Sequence, residues 1–175
     1  PGWCGIGRCG RRGCLAPPGP EFGSNPAGMR TTARKNADGD LVNGAKKWIC
    51  NGTSADVAIV WAKLEGEPGI DHESADAIRG FLVDCTTPGF KATLMDGKLS
   101  LRAALTAELA FEDCVLPARA LLPRSGGLRS PLEFLHHSLS GTAWGAPGPP
   151  QRCFRPPCQC PPAPRRPRRP PAVVP

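Results

Sequence analysis

The chain has 175 residues, enough for one domain with ragged ends, and its 22 Pro and 21 Gly with no Tyr border on low-complexity composition. The formal charge of +7 sits at the ends: residues 1–14 and 145–175 carry nine Arg and no acid, and the stretch between is slightly acidic. That balance argues against nucleic acid as a partner of the folded part. No run of 18 apolar residues is available to span a membrane.

The elements read mostly as strands and turns. Gly23 to Pro26 is a turn, and Met29 to Lys35 is Thr-rich and strand-like,. Asn36-Ala37-Asp38-Gly39-Asp40 then reverses the chain with an Asp-Gly signal,. Leu41 to Asn51 is a second strand with a kink at Asn43-Gly44, and Val57 to Leu64 is a third, rich in β-branched and aromatic residues,. Glu65 to Ala77 is an acidic surface loop, and Ile78 to Asp84 is the next strand, closed by Thr87-Pro88-Gly89. Glu108 to Glu112 alternates polar and apolar residues, as a strand with one wet face does,.

Ser130-Pro131-Leu132-Glu133 reads as a helix start, with Ser as cap, Pro at the first position and Glu three residues after the cap,. Leu132, Leu135 and Leu139 carry the helix to about Trp144,. The prolines from Pro147 onward forbid regular helix or central strand, so that tail reads as disordered,. The nine cysteines show no C-x-x-C pair, and His72, His136 and His137 are not spaced to complete a zinc set, so no metal site is expected,. The first residue is Pro rather than Met, and no signal-peptide pattern follows,. The natural N-terminus is expected to be missing.

Four collinear blocks carry a resemblance. They are Pro20-Glu21-Phe22-Gly23-Ser24-Asn25-Pro26-Ala27-Gly28-Met29-Arg30-Thr31, then Asn43-Gly44-Ala45-Lys46-Lys47-Trp48-Ile49-Cys50-Asn51-Gly52. Arg79-Gly80-Phe81-Leu82-Val83 with Thr87-Pro88-Gly89-Phe90 follows, and Gly97-Lys98-Leu99-Ser100-Leu101-Arg102-Ala103 leads to Phe111-Glu112-Asp113. Together they resemble the middle domain of the acyl-CoA dehydrogenases, and the first and last blocks look specifically like the glutaryl-CoA dehydrogenase branch. The similarity spans roughly Gly13 to Ala146 and stops at both tails.

The resemblance implies a mainly β fold: two packed antiparallel sheets of the acyl-CoA dehydrogenase middle-domain type, one C-terminal helix and disordered tails. The domain division it implies is 1–14 irregular basic tail, 15–129 FAD-binding β-domain, 130–145 the truncated start of a C-terminal helical domain, and 146–175 a Pro/Arg-rich tail. The family is tetrameric, passes electrons to electron-transferring flavoprotein, and dehydrogenates an acyl-CoA between its α and β carbons. The glutaryl branch also decarboxylates, giving crotonyl-CoA. The family implies the mitochondrial matrix in a eukaryote and the cytoplasm otherwise.

By the same resemblance, Leu15 to Ser24 wraps the flavin. Leu15, Pro18, Gly23 and Ser24 would be cofactor residues there, and Ser24 would also lie near the acyl-CoA. Glycine admits close backbone approach to an anion and Ser adds a hydroxyl donor. Trp48, Ile49 and Cys50 would flank the flavin, the indole covering the ring system. Read alone, Gly23-Ser24 is a turn and Trp48 a core aromatic. The chain also departs from the family pattern. Pro18 stands where the family has a Thr that donates to the flavin, losing a hydroxyl and an N–H. Cys50 replaces a Thr or Ser with a weaker donor. Leu139 stands where the family has an Arg.

The family's catalytic Glu belongs to the C-terminal domain, and the Arg that grips the glutaryl carboxylate belongs to the N-terminal domain. Neither has a counterpart in this chain, so catalysis by it alone is not expected. Two other readings stand beside the enzyme fragment. One is a non-functional fragment or frame-shifted gene product, favoured by the abrupt change of composition at both ends. The other is a Pro/Arg-rich interaction protein using Pro161 to Pro171,.

Overall fold

The computed structural model describes residues 10–16, 19–145 and 148. Seven strands run in order: β1 Gly13–Ala16, β2 Thr32–Asn36, β3 Gly39–Cys50, β4 Val57–Glu65, β5 Ile78–Asp84, β6 Phe90–Leu94 and β7 Thr106–Leu116. Helix α1, Arg129–Gly145, follows. The mainly β class with one C-terminal helix agrees with the sequence reading. The expected disordered tail, and Pro18, lie outside the described residues, the tail apart from residue 148.

The layering differs in detail from two separate antiparallel sheets. All seven strands hydrogen-bond into one curled, mixed sheet. Its centre is β4, which pairs antiparallel with β5 along one edge. The other edge takes two short strands in succession, both parallel: β1 beside Val57 to Val60, then β2 beside Lys63 to Glu65. Parallel neighbours need long connections between them rather than tight hairpins, so no local turn signal announces them. From β2 the sheet continues antiparallel through β3, β7 and β6.

Curling brings the two ends of the sheet onto one core. Ala58, Val60 and Ala62 of β4, Phe81 and Val83 of β5, and Ala107, Leu109, Phe111 and Leu116 of β7 all belong to a single buried cluster. The alternating positions of β4 face that cluster, and its opposite face is covered too: Trp61 packs with Met29 and Ile78 in a second, smaller cluster. A strand buried on both faces shows continuous apolar character rather than alternation, which is why Val57 to Leu64 is the strongest strand in the sequence.

Two irregularities shape β3. At Asn43, β7 carries one extra residue, Glu112 and Asp113 together opposing Asn43, and Asn43 bridges the gap by accepting from Asp113 N–H (2.8 Å) and donating to Asp113 Oδ1 (3.0 Å). Asp113 sits there at φ 49°. Next to it Gly44, at φ +137°, lies so close to Thr31 that a Cβ would come within 2.7 Å of the Thr31 Cα. The kink expected at Asn43-Gly44 is this bulge. The second irregularity falls between Lys46 and Ile49 and is described with the site.

Ahead of β1, Arg11 forms a 2.7 Å ion pair with Asp84, and the Arg12 N–H donates to Asp56 Oδ2. The basic residues nearest the sheet are therefore fastened to it. At the other end, Ser130 lies within the first turn of α1, where its hydroxyl accepts from Gly126 N–H at 2.9 Å. Arg129 pairs with Glu133 one turn on, at 2.7 Å,. The chain divides into two compact units at Phe134 and Leu135. In the second unit Leu135 and Leu139 of α1 are exposed.

Candidate functional site

The last turn of β3 departs from its neighbours. Lys46 is in register with Leu109 of β7 and Ile49 with Ala107, so Lys47 and Trp48 together oppose the single residue Glu108. That two-against-one count is a β-bulge, which bends the strand and re-aims a side chain. Trp48 takes a left-handed backbone, φ 63°, rare and strained for a bulky residue,. Its indole is 60% exposed while Lys46 and Ile49 on either side are buried. The bulge and the left-handed backbone leave Ile49 inward and Trp48 and Cys50 outward, which counts against Trp48 as a core aromatic. Beyond Cys50 the strand is tied down by Asn51 N–H donating to Leu105 O at 2.7 Å.

Leu15 lies half-buried on β1, paired with Ile59, and β1 and β3 are in contact. Gly23 and Ser24 are exposed on the loop between β1 and β2. That loop is packed on itself. Phe22 covers Gly28, the Arg30 guanidinium stands 5.7 Å over the Phe22 ring, and Arg30 pairs with Glu21 at 2.8 Å. Its far end is fastened to β3, where the Thr31 hydroxyl donates to Ala45 O at 3.3 Å and Lys46 Nζ stands 3.8 Å from Met29 Sδ. The structure therefore brings the Ser24 loop onto β3 just before the Trp48 bulge.

Two depressions lie elsewhere on the sheet unit. One of about 620 Å³ adjoins the Ser24 loop and is lined by Phe22, Asn25, Arg30, Lys63, His72 and Glu73 among others. Lys63 is buried and donates to Glu73 O at 2.8 Å. The second, about 560 Å³, lies around Arg11, Asp84, Cys85 and Lys91. None of Leu15, Gly23, Ser24, Trp48, Ile49 and Cys50 lines either one. At the end of β3 Trp48 and Cys50 are both exposed. Leu94, Leu99, Leu101 and Leu105 are exposed on the β6–β7 connection that borders it.

Among the described residues no buried carboxylate lies at that end of β3, where half-buried Glu108 faces the bulge. Asp40 is the only buried carboxylate among the described residues, and burial raises its pKa. It stands eight residues up β3 from Trp48, roughly 25 Å away at strand rise. Burial pushes the Cys14 thiol up to about 11 and the Cys85 thiol up to about 12, so both stay protonated and inert at neutral pH,. Burial lowers the Lys46 amine to about 7. Lys46 falls inside a quoted block, yet nothing in the sequence marks it as buried.

Residues 14–114 match the profile of the acyl-CoA dehydrogenase middle domain. The chain belongs to the acyl-CoA dehydrogenase family. It is 35% identical over 132 residues to the mitochondrial short-chain specific acyl-CoA dehydrogenase of Rattus norvegicus, covering 75% of this chain and 31% of that one. To the mitochondrial isovaleryl-CoA dehydrogenase of Pongo abelii it is 40% identical over 113 residues, 63% of this chain and 25% of the relative. Among solved structures, the glutaryl-CoA dehydrogenase of Mycobacterium smegmatis in complex with FADH2 superimposes with a TM-score of 0.65 at 48% identity, covering 72% of this chain and 30% of that one. The chain thus spans a quarter to a third of the length of these acyl-CoA dehydrogenases. No helix among its described residues is long and apolar enough to cross a membrane.

Proposed function

We propose that this chain is the flavin-holding β-domain of an acyl-CoA dehydrogenase of the glutaryl-CoA branch. The observation that carries the reading is Trp48: a strained backbone and a bulge hold a large aromatic surface in solvent, an arrangement with no packing benefit of its own,. FAD, when bound, supplies the acceptor for the hydride leaving the acyl β-carbon. The residues present fit an isoalloxazine at this edge. The Trp48 indole would cover one side of the ring and exclude water, and Cys50 would offer only a weak thiol donor. Leu15 backs the ring from β1, and Gly23-Ser24 approach the anionic part of the cofactor and, through the Ser24 hydroxyl, the acyl-CoA. Pro18 contributes neither hydroxyl nor N–H at its place in this set, which weakens the grip.

Glutaryl-CoA as the substrate of the parent enzyme rests on the wording of the first and last sequence blocks. With no buried carboxylate near Trp48, this chain alone does not turn over acyl-CoA; it requires partners that bring a base and the substrate-carboxylate Arg. In the parent, a homotetramer passing electrons to electron-transferring flavoprotein in the mitochondrial matrix (the cytoplasm in a bacterium) completes the reading. The domain limits proposed above, with the β-domain over 15–129, belong to it as well.

Loading the purified chain with excess FAD, desalting it and reading flavin absorbance tests the proposal. Flavin retained near one per chain supports it. A folded chain that retains none leaves the second reading, a non-functional gene product, which the change of composition at both ends favours.

A further inference from the structure

Lys46 is the largest side chain that is fully buried in the described structure, with 0% exposure. An apolar residue of similar length fills such a site without the desolvation cost of an amine, so packing alone does not explain a lysine here. Its location is informative. On the chain it is the last residue of β3 in register with β7 before the bulge that turns Trp48 outward. In space its Nζ stands 3.8 Å from the sulfur of Met29, itself 1% exposed and five residues beyond Ser24. Two neighbouring contacts hold the same pair of segments: Thr31 on the Ala45 carbonyl and Thr31 against Gly44. Along the chain, the Lys46–Met29 contact is the one of the three nearest to both Trp48 and Ser24.

We propose that Lys46 is a positioning residue of the flavin surface, its buried amine holding the Ser24 loop through Met29 at a fixed distance from the Trp48 bulge. The proposal rests on the flavin-binding reading. One half of that site is the exposed Gly23-Ser24 tip of a loop whose root, Met29, is buried, and the other is a strained bulge flanked by buried Lys46 and Ile49. A tether at their common root fixes one against the other. Binding a rigid, planar ligand between two elements gains from having their separation set beforehand, because the ordering cost is then met in folding rather than in binding. The lowered amine pKa fits such a buried place, where an amine that gives up its proton readily costs less to desolvate,.

Lys46→Met in the full chain separates positioning from mere packing. It keeps the volume and removes the amine. The expected result is a thermal midpoint equal to or above that of the unaltered chain, with amide exchange in 23–29 and 47–50 faster by about tenfold, as for loss of one hydrogen bond. FAD affinity should fall by about tenfold or more. Should Lys46→Met not fold, Met29→Leu makes the same test from the other side of the contact, with faster exchange expected in both segments. A folded variant with unchanged exchange in both segments overturns the tether. If the unaltered chain holds no flavin, the functional reading falls while the exchange measurement still decides the tether. Faster exchange with unchanged FAD affinity overturns the positioning role.

Discussion

β4 and β3 belong to one sheet and follow different rules. β4 buries seven of its nine residues and keeps ordinary extended backbone throughout, whereas β3 buries four of twelve, carries two register shifts and holds Trp48, near its end, in a left-handed conformation. Packing from both faces dictates each residue of β4. Packing dictates only the inward positions of β3, and its last turn holds an aromatic in solvent against backbone preference. Strain and exposure coincide at Trp48, as they do at Leu101 on the adjoining β6–β7 connection, and at no residue of β4,.

The contrast can be broken at the scaffold first. Phe81→Ala beside β4 empties a fully buried site and is expected to cost about 3–5 kcal/mol by urea denaturation. The next largest effect is a pH dependence. Lys46 has a folded pKa of about 7 against an ordinary 10.5, so between these values the unfolded chain holds more protons. Stability therefore rises with pH across that window, by roughly 2–3 kcal/mol from pH 7 to 9, and Lys46→Met flattens the rise. Gly44→Ala, at positive φ against Thr31, is expected to cost roughly 1–3 kcal/mol and to loosen the Ser24 loop from β3.

At the site the sign reverses. Trp48→Gly relieves a left-handed backbone and removes a mostly exposed side chain, so the fold is expected to gain about 1 kcal/mol in thermal denaturation,. Smallest is the Arg11–Asp84 pair. The hydrogen bond from Arg11, then those from Thr86, hold Asp84 at about 2. Its contribution is present above the ordinary carboxylate range and is lost as pH falls from about 4 toward about 2. Both partners are partly exposed, so Asp84→Asn should change acid titration curves only slightly,.

Much of this was legible in the sequence where the cause is local. Val57 to Leu64 is covered on both faces and reads as a continuous apolar run, and Ile78 to Asp84 matches β5 end for end. The Asn43-Gly44 kink is announced by its glycine. Two strands were not read. β1 is four residues followed by Pro, and β6 is five residues after Pro88-Gly89, both too short for a period to show. Their places depend on partners far along the chain, and the parallel pairing of β1 and β2 with β4 leaves no turn signature. At the site, the residue types were legible through the resemblance, but the outward turn of Trp48 was not. It comes from an unequal count of residues on β3 and β7, which only the register reveals. Burial of Lys46 was hidden for the same reason, since a lysine in a half-polar strand normally faces water.

The central claim is that β3 holds Trp48 outward for a flavin. FAD titration of the chain and of Trp48→Gly, each paired with a thermal melt, tests it most directly. The account predicts that Trp48→Gly melts no lower than the unaltered chain and binds FAD at least about tenfold more weakly, the loss of an aromatic contact of roughly 1.4 kcal/mol. Equal FAD affinity in two equally folded chains contradicts it.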